Sequence, residues 1–222
     1  MHRPKHLDPL AERVLSLLSG RPEAHQIILG GYFALQHYLD YRTTHDIDAW
    51  WSGRADPAVE KVIREVMQQV AREKQMTLRE RRFGDTLSFE LLRDEQQHFS
   101  FQIASRSITV EEPQLSAWPP LRIETLGENI GAKMNALVNR GAPRDFLDVH
   151  AVVDAGLLTP ERCWELWEAK NPGGAPEAAK RNVLLHLAGL ESRRPLDSVS
   201  DPSAREEARR IRQWFKDVFV RG

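Results

Sequence analysis

Residues 27–51 read Ile27-Ile-Leu-Gly-Gly-Tyr-Phe-Ala-Leu-Gln-His-Tyr-Leu-Asp-Tyr-Arg-Thr-Thr-His-Asp-Ile-Asp-Ala-Trp-Trp51. An apolar run, Ile27-Ile28-Leu29, ends in the pair Gly30-Gly31. Ala34, Leu35, Tyr38 and Leu39 then recur at helical spacing, and a second apolar run carries Asp46 and Asp48 on either side of Ile47. The pattern predicts a strand over 26–29, a helix from 31 to about 40–43, and a strand over 45–51. Side chains alternate across a strand, so Asp46 and Asp48 project from one face while Ile47 enters the core. Adjacent carboxylates repel unless a cation sits between them. Mg²⁺ suits such a pair, because it prefers oxygen ligands and keeps places for water and phosphate. Glycines let backbone amides approach a ligand closely, and a helix start directly after them favours a phosphate. These parts together can hold a nucleoside triphosphate with its phosphates between amides and metal.

The flanking chain supplies a frame for this segment. Leu10, Val14, Leu17 and Leu18 give a helix over 8–19, closed by Gly20-Arg21-Pro22. Pro57 opens a helix to about residue 74, with Val59, Val62, Ile63, Val66, Met67 and Val70 on one stripe. Three strands follow, over 76–83, 86–92 and 98–104, joined as hairpins. Leu87, Phe89 and Leu91 alternate with Thr86, Ser88 and Glu90, and Phe99, Phe101 and Ile103 with His98, Ser100 and Gln102. Each strand therefore has one apolar and one polar face, as in an antiparallel sheet covered on one side.

Residues 111–120 hold three prolines and read as a loop and an internal boundary. Beyond it the pattern is helical only. Thr125 with Glu128 makes a capping box for a helix ended by Gly141, and Pro143 begins the next, to Gly156. Thr159-Pro160 opens a third helix, broken at 171–174, and helices over 177–190 and 201–220 complete the set. The expected fold is α+β: a mixed sheet with flanking helices over 1–112, then an all-helical half over 121–222.

Composition narrows the function classes. The chain is 41% hydrophobic and 28% charged, ordinary for a globular protein. A net charge of −1 gives no overall field to attract a polyanion, and the basic stretches 79–82 and 205–212 read as solvated faces balanced by nearby acids. No apolar run approaches the ~20 residues of a membrane span, and the first ten residues lack the apolar core of a secretory signal, so a cytoplasmic protein with no membrane partner is expected. Cys163 is the only cysteine, which excludes an internal disulfide and a cysteine-rich zinc site. The histidines show no metal-ligand spacing, and the six tryptophans read as core and helix packing.

Residues 30–48 resemble the first motif of the nucleotidyltransferase superfamily. More narrowly, Arg42-x-Thr44-x-Asp46-x-Asp48 resembles the signature of the AbiEii/AbiGii-type toxin nucleotidyltransferases. Residues 133–149, K-M-N-A-L-V-N-R-G-A-P-R-D-F-L-D-V, resemble that family's later motif, with Lys133, Arg140 and Arg144-Asp145-x-x-Asp148 at its fixed positions. Lys133 and Arg140 are two helical turns apart and share a face with Asn129 and Ala136, while Arg144 and Asp148 are spaced i,i+4.

The resemblance implies a nucleotidyltransferase-like mixed sheet, with the helical half closing the cleft. It implies Mg²⁺-dependent transfer of a nucleoside monophosphate from an NTP to an acceptor hydroxyl, on RNA such as a tRNA end or on a protein. Asp46 and Asp48 would bind the metal. Gly30, Gly31, Arg42, Thr44, Lys133 and Arg144 would bind the nucleotide. Asp46, Asp48, Lys133 and Asp148 would be catalytic, Asp148 as base, metal ligand or orienter of Lys133. The protein would be the toxin of a toxin–antitoxin or phage-defence pair, with a cognate antitoxin protein as partner. Many superfamily members carry a third acid on a later strand. This sequence has Gln102 there, with Glu90 on the preceding strand as a substitute. Two other readings stay open: a nucleotidyltransferase acting on an aminoglycoside-like small molecule, and a degenerate nucleotide-binding regulatory module without turnover.

Overall fold

The structure, a computed structural model, describes residues 3–106 and 108–221. The chain divides into two compact units, Met1–Asn129 and Ile130–Gly222.

The first unit begins with α1 (Pro9–Leu18), whose Asp8 cap accepts a hydrogen bond from the Leu10 amide at 2.7 Å. β1 (Ile27–Gly30), α2 (Gly31–Leu35) and β2 (Asp46–Trp51) follow, then α3 (Pro57–Lys74), capped by Asp56. The hairpin strands are β3 (Thr77–Phe83), β4 (Thr86–Arg93) and β5 (Gln96–Ala104). Two short strands, β6 (Gln114–Leu115) and β7 (Arg122–Ile123), precede α4 (Leu126–Asn139). The seven strands form one mixed sheet in the order β3-β4-β5-β2-β1-β7-β6. β2 lies parallel to β5 and antiparallel to β1, and β1 lies parallel to β7.

The hydrophobic core lies on one face of this sheet. Ile27, Leu29, Ile47, Ala49, Phe89, Phe101 and Ile103 meet Val14, Leu15 and Leu18 of α1 and Ile63, Val66 and Val70 of α3 in one cluster. Period-2 strands placed against period-3.6 helix stripes leave only one way to bury both sets, and truncating one such side chain to alanine costs about 2–5 kcal/mol. Asp46, Asp48, Ser88, Glu90, Ser100 and Gln102 are then forced onto the opposite face.

In the second unit the helices after α4 are α5 (Pro143–Asp154), α6 (Pro160–Lys170), α7 (Pro176–Arg193) and α8 (Pro202–Trp214). Each of these four opens with proline, whose fixed φ suits a first helical position. Their core is aromatic: Phe146 meets Phe215 edge-on at 4.9 Å, and the Trp164 indole donates to the Phe219 carbonyl at 2.9 Å. Cys163 is fully buried here, and burial pushes its thiol up to about 12.

Three expectations need correction. The helix after Gly31 stops at Leu35 instead of running to about residue 40. Beyond it the His37 and Tyr38 amides make i→i−3 bonds, and Gln36 Nε2 donates to Asp40 Oδ1 and the His6 carbonyl, closing a turn. The proline-rich stretch 111–120 is not only a linker, because β6 and β7 add to the sheet and the division falls later, between Asn129 and Ile130. At the α4 start only half of the capping box forms. Thr125 Oγ1 accepts from the Glu128 amide at 3.2 Å, but the Glu128 carboxylate turns to Arg106 and to the Val110 and Glu111 amides. Among the described residues no helix is long and apolar enough to cross a membrane.

Candidate active site

Strand register places the polar residues of the second sheet face in two rows. Asp46 lies opposite Ser100, which lies opposite Glu90, which lies opposite Arg79. In the next row Gly30, Asp48, Gln102, Ser88 and Arg81 are neighbours in that order. Neighbouring strands are about 4.8 Å apart, so Asp46 and Asp48 share a small patch with Ser100 and Gln102. The Ser100 hydroxyl donates to Asp46 Oδ1 at 2.7 Å, which orients that carboxylate.

The two glycines allow a backbone approach that no other residue permits. Gly31 has φ +59°, and a Cβ on it would lie 2.1 Å from Asp48 Oδ2. A Cβ on Gly30 would lie 2.2 Å from the Trp50 indole nitrogen. The turn backbone therefore runs directly against the Asp48 carboxylate. With a helix of only five residues behind it, the turn itself, rather than a helix dipole, is what can meet a phosphate.

The donor chemistry of the patch can be set against what a divalent cation needs. Among the described residues no three His, Cys, Asp or Glu side chains form a metal cage. What exists is two carboxylates on one face with the Gln102 amide opposite Asp48. That set is too small for Zn²⁺ or for Ca²⁺ held by protein alone. It fits Mg²⁺, which typically takes one or two carboxylates and completes its shell with water and substrate phosphates. Glu90 does not extend the set: it is nearly buried and committed to Arg79, at 2.6 Å, and to Arg81, at 3.7 Å.

Arg42 and Thr44 stand in the loop entering β2. Thr44 Oγ1 accepts from the Asp46 amide at 3.3 Å, so it braces the strand start. The Arg42 guanidinium carbon sits 3.4 Å from the centre of the Tyr32 ring, and Tyr32 Oη bonds both the amide and the carbonyl of Arg42.

The remaining expected residues belong to the second unit. Lys133 Nζ lies 2.7 Å from Asp148 Oδ2, with the Asp148 side chain fully buried and that of Lys133 only 14% exposed. A buried pair of this kind is weak evidence for stability, because desolvation offsets the attraction. What it does firmly is aim the ammonium. Arg140 clasps the buried Asp145 through Nε at 2.9 Å and Nη2 at 3.1 Å, and Arg144 is exposed.

A family profile described as "Nucleotidyl transferase AbiEii toxin, Type IV TA system" matches residues 13–218. The chain belongs to this family. It is a nucleotidyltransferase, of a family that acts as the toxin in toxin–antitoxin systems. No curated protein matches it in sequence. A crystal structure from H. pylori, described as a candidate nucleotidyltransferase, is similar over 96% of this chain and 94% of its own, with 15% identity and a TM-score of 0.46.

The structure sets further residues beside the candidate carboxylates and the glycine turn of this AbiEii-family chain. Ser100 on Asp46 is one. Another is a buried group next to the glycine turn, formed by Arg106, Glu124, Glu128 and Asn129. Ser100 was visible as a polar-face residue, but nothing in the sequence tells that β5, rather than another strand, lies beside β2. Trp50 also departs from the reading of all tryptophans as core, since it shares the carboxylate face and lies under the Arg106 guanidinium at 4.2 Å.

Proposed function

We propose that this AbiEii-family chain transfers a nucleoside monophosphate from an NTP to an acceptor hydroxyl with Mg²⁺ as the divalent ion. The observation that carries the reading is the Gly31 backbone packed against Asp48, which puts turn amides and a carboxylate pair at one place. In this reading Asp46 and Asp48 hold the metal, and the Gly30-Gly31 turn receives the triphosphate. Arg42, Thr44, Lys133 and Arg144 serve the nucleotide. Asp148 acts through Lys133: the buried 2.7 Å pair favours the orienting role over base or ligand. Bound Mg²⁺ would supply Lewis-acid polarisation of the phosphate. The acceptor oxygen bonds to the α-phosphorus as the bond to the β-phosphate oxygen breaks. Pyrophosphate leaves, and the hydroxyl proton passes to solvent. The acceptor is RNA, such as a tRNA end, or a protein hydroxyl, and the setting is a cytoplasmic toxin–antitoxin or phage-defence pair.

The test is incubation with each α-³²P-labelled triphosphate, Mg²⁺, and whole-cell RNA and protein. Transfer to one acceptor class is expected, with a loss of at least about a hundredfold in Asp48→Ala and Lys133→Ala, the scale of removing a charge-stabilising group. Label transfer that survives both substitutions sinks the assigned site. Gln102 beside Asp48 favours one second reading, a binding module without turnover. Mg²⁺-dependent triphosphate binding with no labelled acceptor would select it.

A further inference from the structure

Beside the glycine turn lies a buried polar group that the reaction above does not use. Asn129 is 1% exposed and Glu124 is fully buried. Asn129 Nδ2 donates to the Gly31 carbonyl at 2.8 Å and to Glu124 Oε2 at 2.6 Å. Both partners are acceptors, so the amide orientation is fixed by chemistry: the NH₂ must face them. Asn129 Oδ1 is left without a hydrogen-bond partner among the described residues, so the side chain keeps this orientation against a desolvation cost. Glu124 is itself tied to both flanks of the turn. Its amide donates to the Leu29 carbonyl at 3.0 Å, and its carbonyl accepts from Tyr38 Oη at 3.2 Å. Arg106 pairs with Glu124 and Glu128 and lies over Trp50, whose indole flanks Gly30. The ring of contacts closes on the turn from both sides.

We infer that Asn129 is a positioning residue, whose amide clamps the Gly31 carbonyl to buried Glu124 and so sets the peptide plane of the glycine turn against Asp48. In a trans peptide the C=O and the following N–H point in opposite directions. Holding the Gly31 oxygen therefore also aims the Tyr32 N–H, the next donor of the turn. The value of this for phosphate binding rests on the nucleotidyltransferase reading of the site; the clamp itself does not. Glu124 suits the task because burial raises its carboxyl above the ordinary value, opposed by Arg106 and by the Asn129 hydrogen bond, so this amide is one of the groups that keep it an acceptor.

Two full-length variants separate a clamp from a plain packing contact. Asn129→Ala removes both bonds. The swap Glu124→Gln with Asn129→Asp restores a bond between the two side chains, now donated by the new amide at position 124, but gives Gly31 no donor. Three readouts are compared: the thermal midpoint, hydrogen exchange over residues 31–35, and the KM for the Mg²⁺–triphosphate against kcat. Asn129→Ala is expected to lower the midpoint, speed exchange and raise KM about tenfold, with a smaller change in kcat. The swap keeps the side-chain volumes but turns an acceptor toward the Gly31 carbonyl and takes a charge from Arg106, so exchange is expected to stay fast and KM high, with no recovery of the midpoint. Wild-type exchange and KM in Asn129→Ala, or recovery of all three readouts in the swap, would overturn the clamp. If the wild type binds no triphosphate, the nucleotidyltransferase reading falls, and hydrogen exchange alone still decides whether Gly31 is clamped.

Discussion

Gln102 stands opposite Asp48 in the strand register, at the point where a third carboxylate would complete a metal site. An amide oxygen can touch a cation but brings no charge, so Gln102 adds nothing to the negative field of Asp46 and Asp48. This makes the effect of Gln102→Glu calculable in sign. Without metal the new carboxylate adds like-charge repulsion beside Asp48 and lowers the thermal midpoint. With Mg²⁺ the same charge strengthens the hold on the cation, so the midpoint recovers by more than in the wild type. Half-saturation of activity moves to about tenfold lower Mg²⁺, a shift of about 1.4 kcal/mol in metal binding. A variant with unchanged Mg²⁺ dependence in both midpoint and activity would show that the cation does not sit near residue 102. At this scale much was readable beforehand. The alternation around Ile47 put both aspartates on one face, and Lys133 and Asp148 were picked out by motif position. A Lys133–Asp148 contact was one of three options for Asp148, and spacing along the chain could not choose among them, because the two residues lie on different helices and the chain itself pairs Asp148 only with Arg144 at i,i+4.

α2 shows how an element can be right in kind and wrong in length. Helical spacing of apolar residues continues through Leu39, yet Gln36 finds partners across the turn and the helix ends at Leu35. A side chain bonding to distant backbone cannot be seen in a periodicity. The same limit hid β6 and β7, two residues each, too short to show any alternation. The long hairpin strands and α3 carried enough repeats to be read closely. In the turn after α2, His37 packs edge-on against Phe33 at 5.1 Å and near Trp118 at 6.1 Å, with Nδ1 bonded to the Phe33 carbonyl at 3.0 Å. That bond makes Nδ1 the protonated nitrogen, and Nε2 has no partner among the described residues. Burial accordingly pushes the imidazole down from 6.5 to about 4. The folded state keeps it neutral while the unfolded chain takes a proton below pH 6.5, so its contribution to stability is complete above pH 6.5 and falls as pH drops toward about 4. His37→Gln should remove that component. Denaturant midpoints at pH 7 and pH 4.5 are expected to differ less in the variant than in the wild type, and an equal difference in the two proteins would refute the buried neutral imidazole.

At the scale of the molecule, the near-neutral charge and the AbiEii membership bear on different questions. A net charge of −1 gives no long-range attraction for RNA, so any nucleic-acid acceptor has to be recognised locally. The two basic stretches do not supply such a field by themselves: Arg79 and Arg81 are spent on Glu90, Arg82 on Glu60, and Arg209 on Glu206. Family membership, by contrast, predicts harm to the host cell, whichever acceptor is used. The toxin reading and the small-molecule reading therefore separate in a living cell. Induced expression in a bacterial host should arrest growth, because transfer to an essential RNA or protein blocks it. An enzyme that modifies an aminoglycoside-like compound would instead leave growth unchanged until the drug is added. The arrest should disappear in Asp48→Ala, which removes one of the two carboxylates proposed to hold the metal, with the variant accumulating as folded protein at the wild-type level. If arrest persists in that variant, the harm comes from something other than the assigned site. If the wild type causes no arrest but protects against an added aminoglycoside, the acceptor is the drug and the proposed toxin role is wrong.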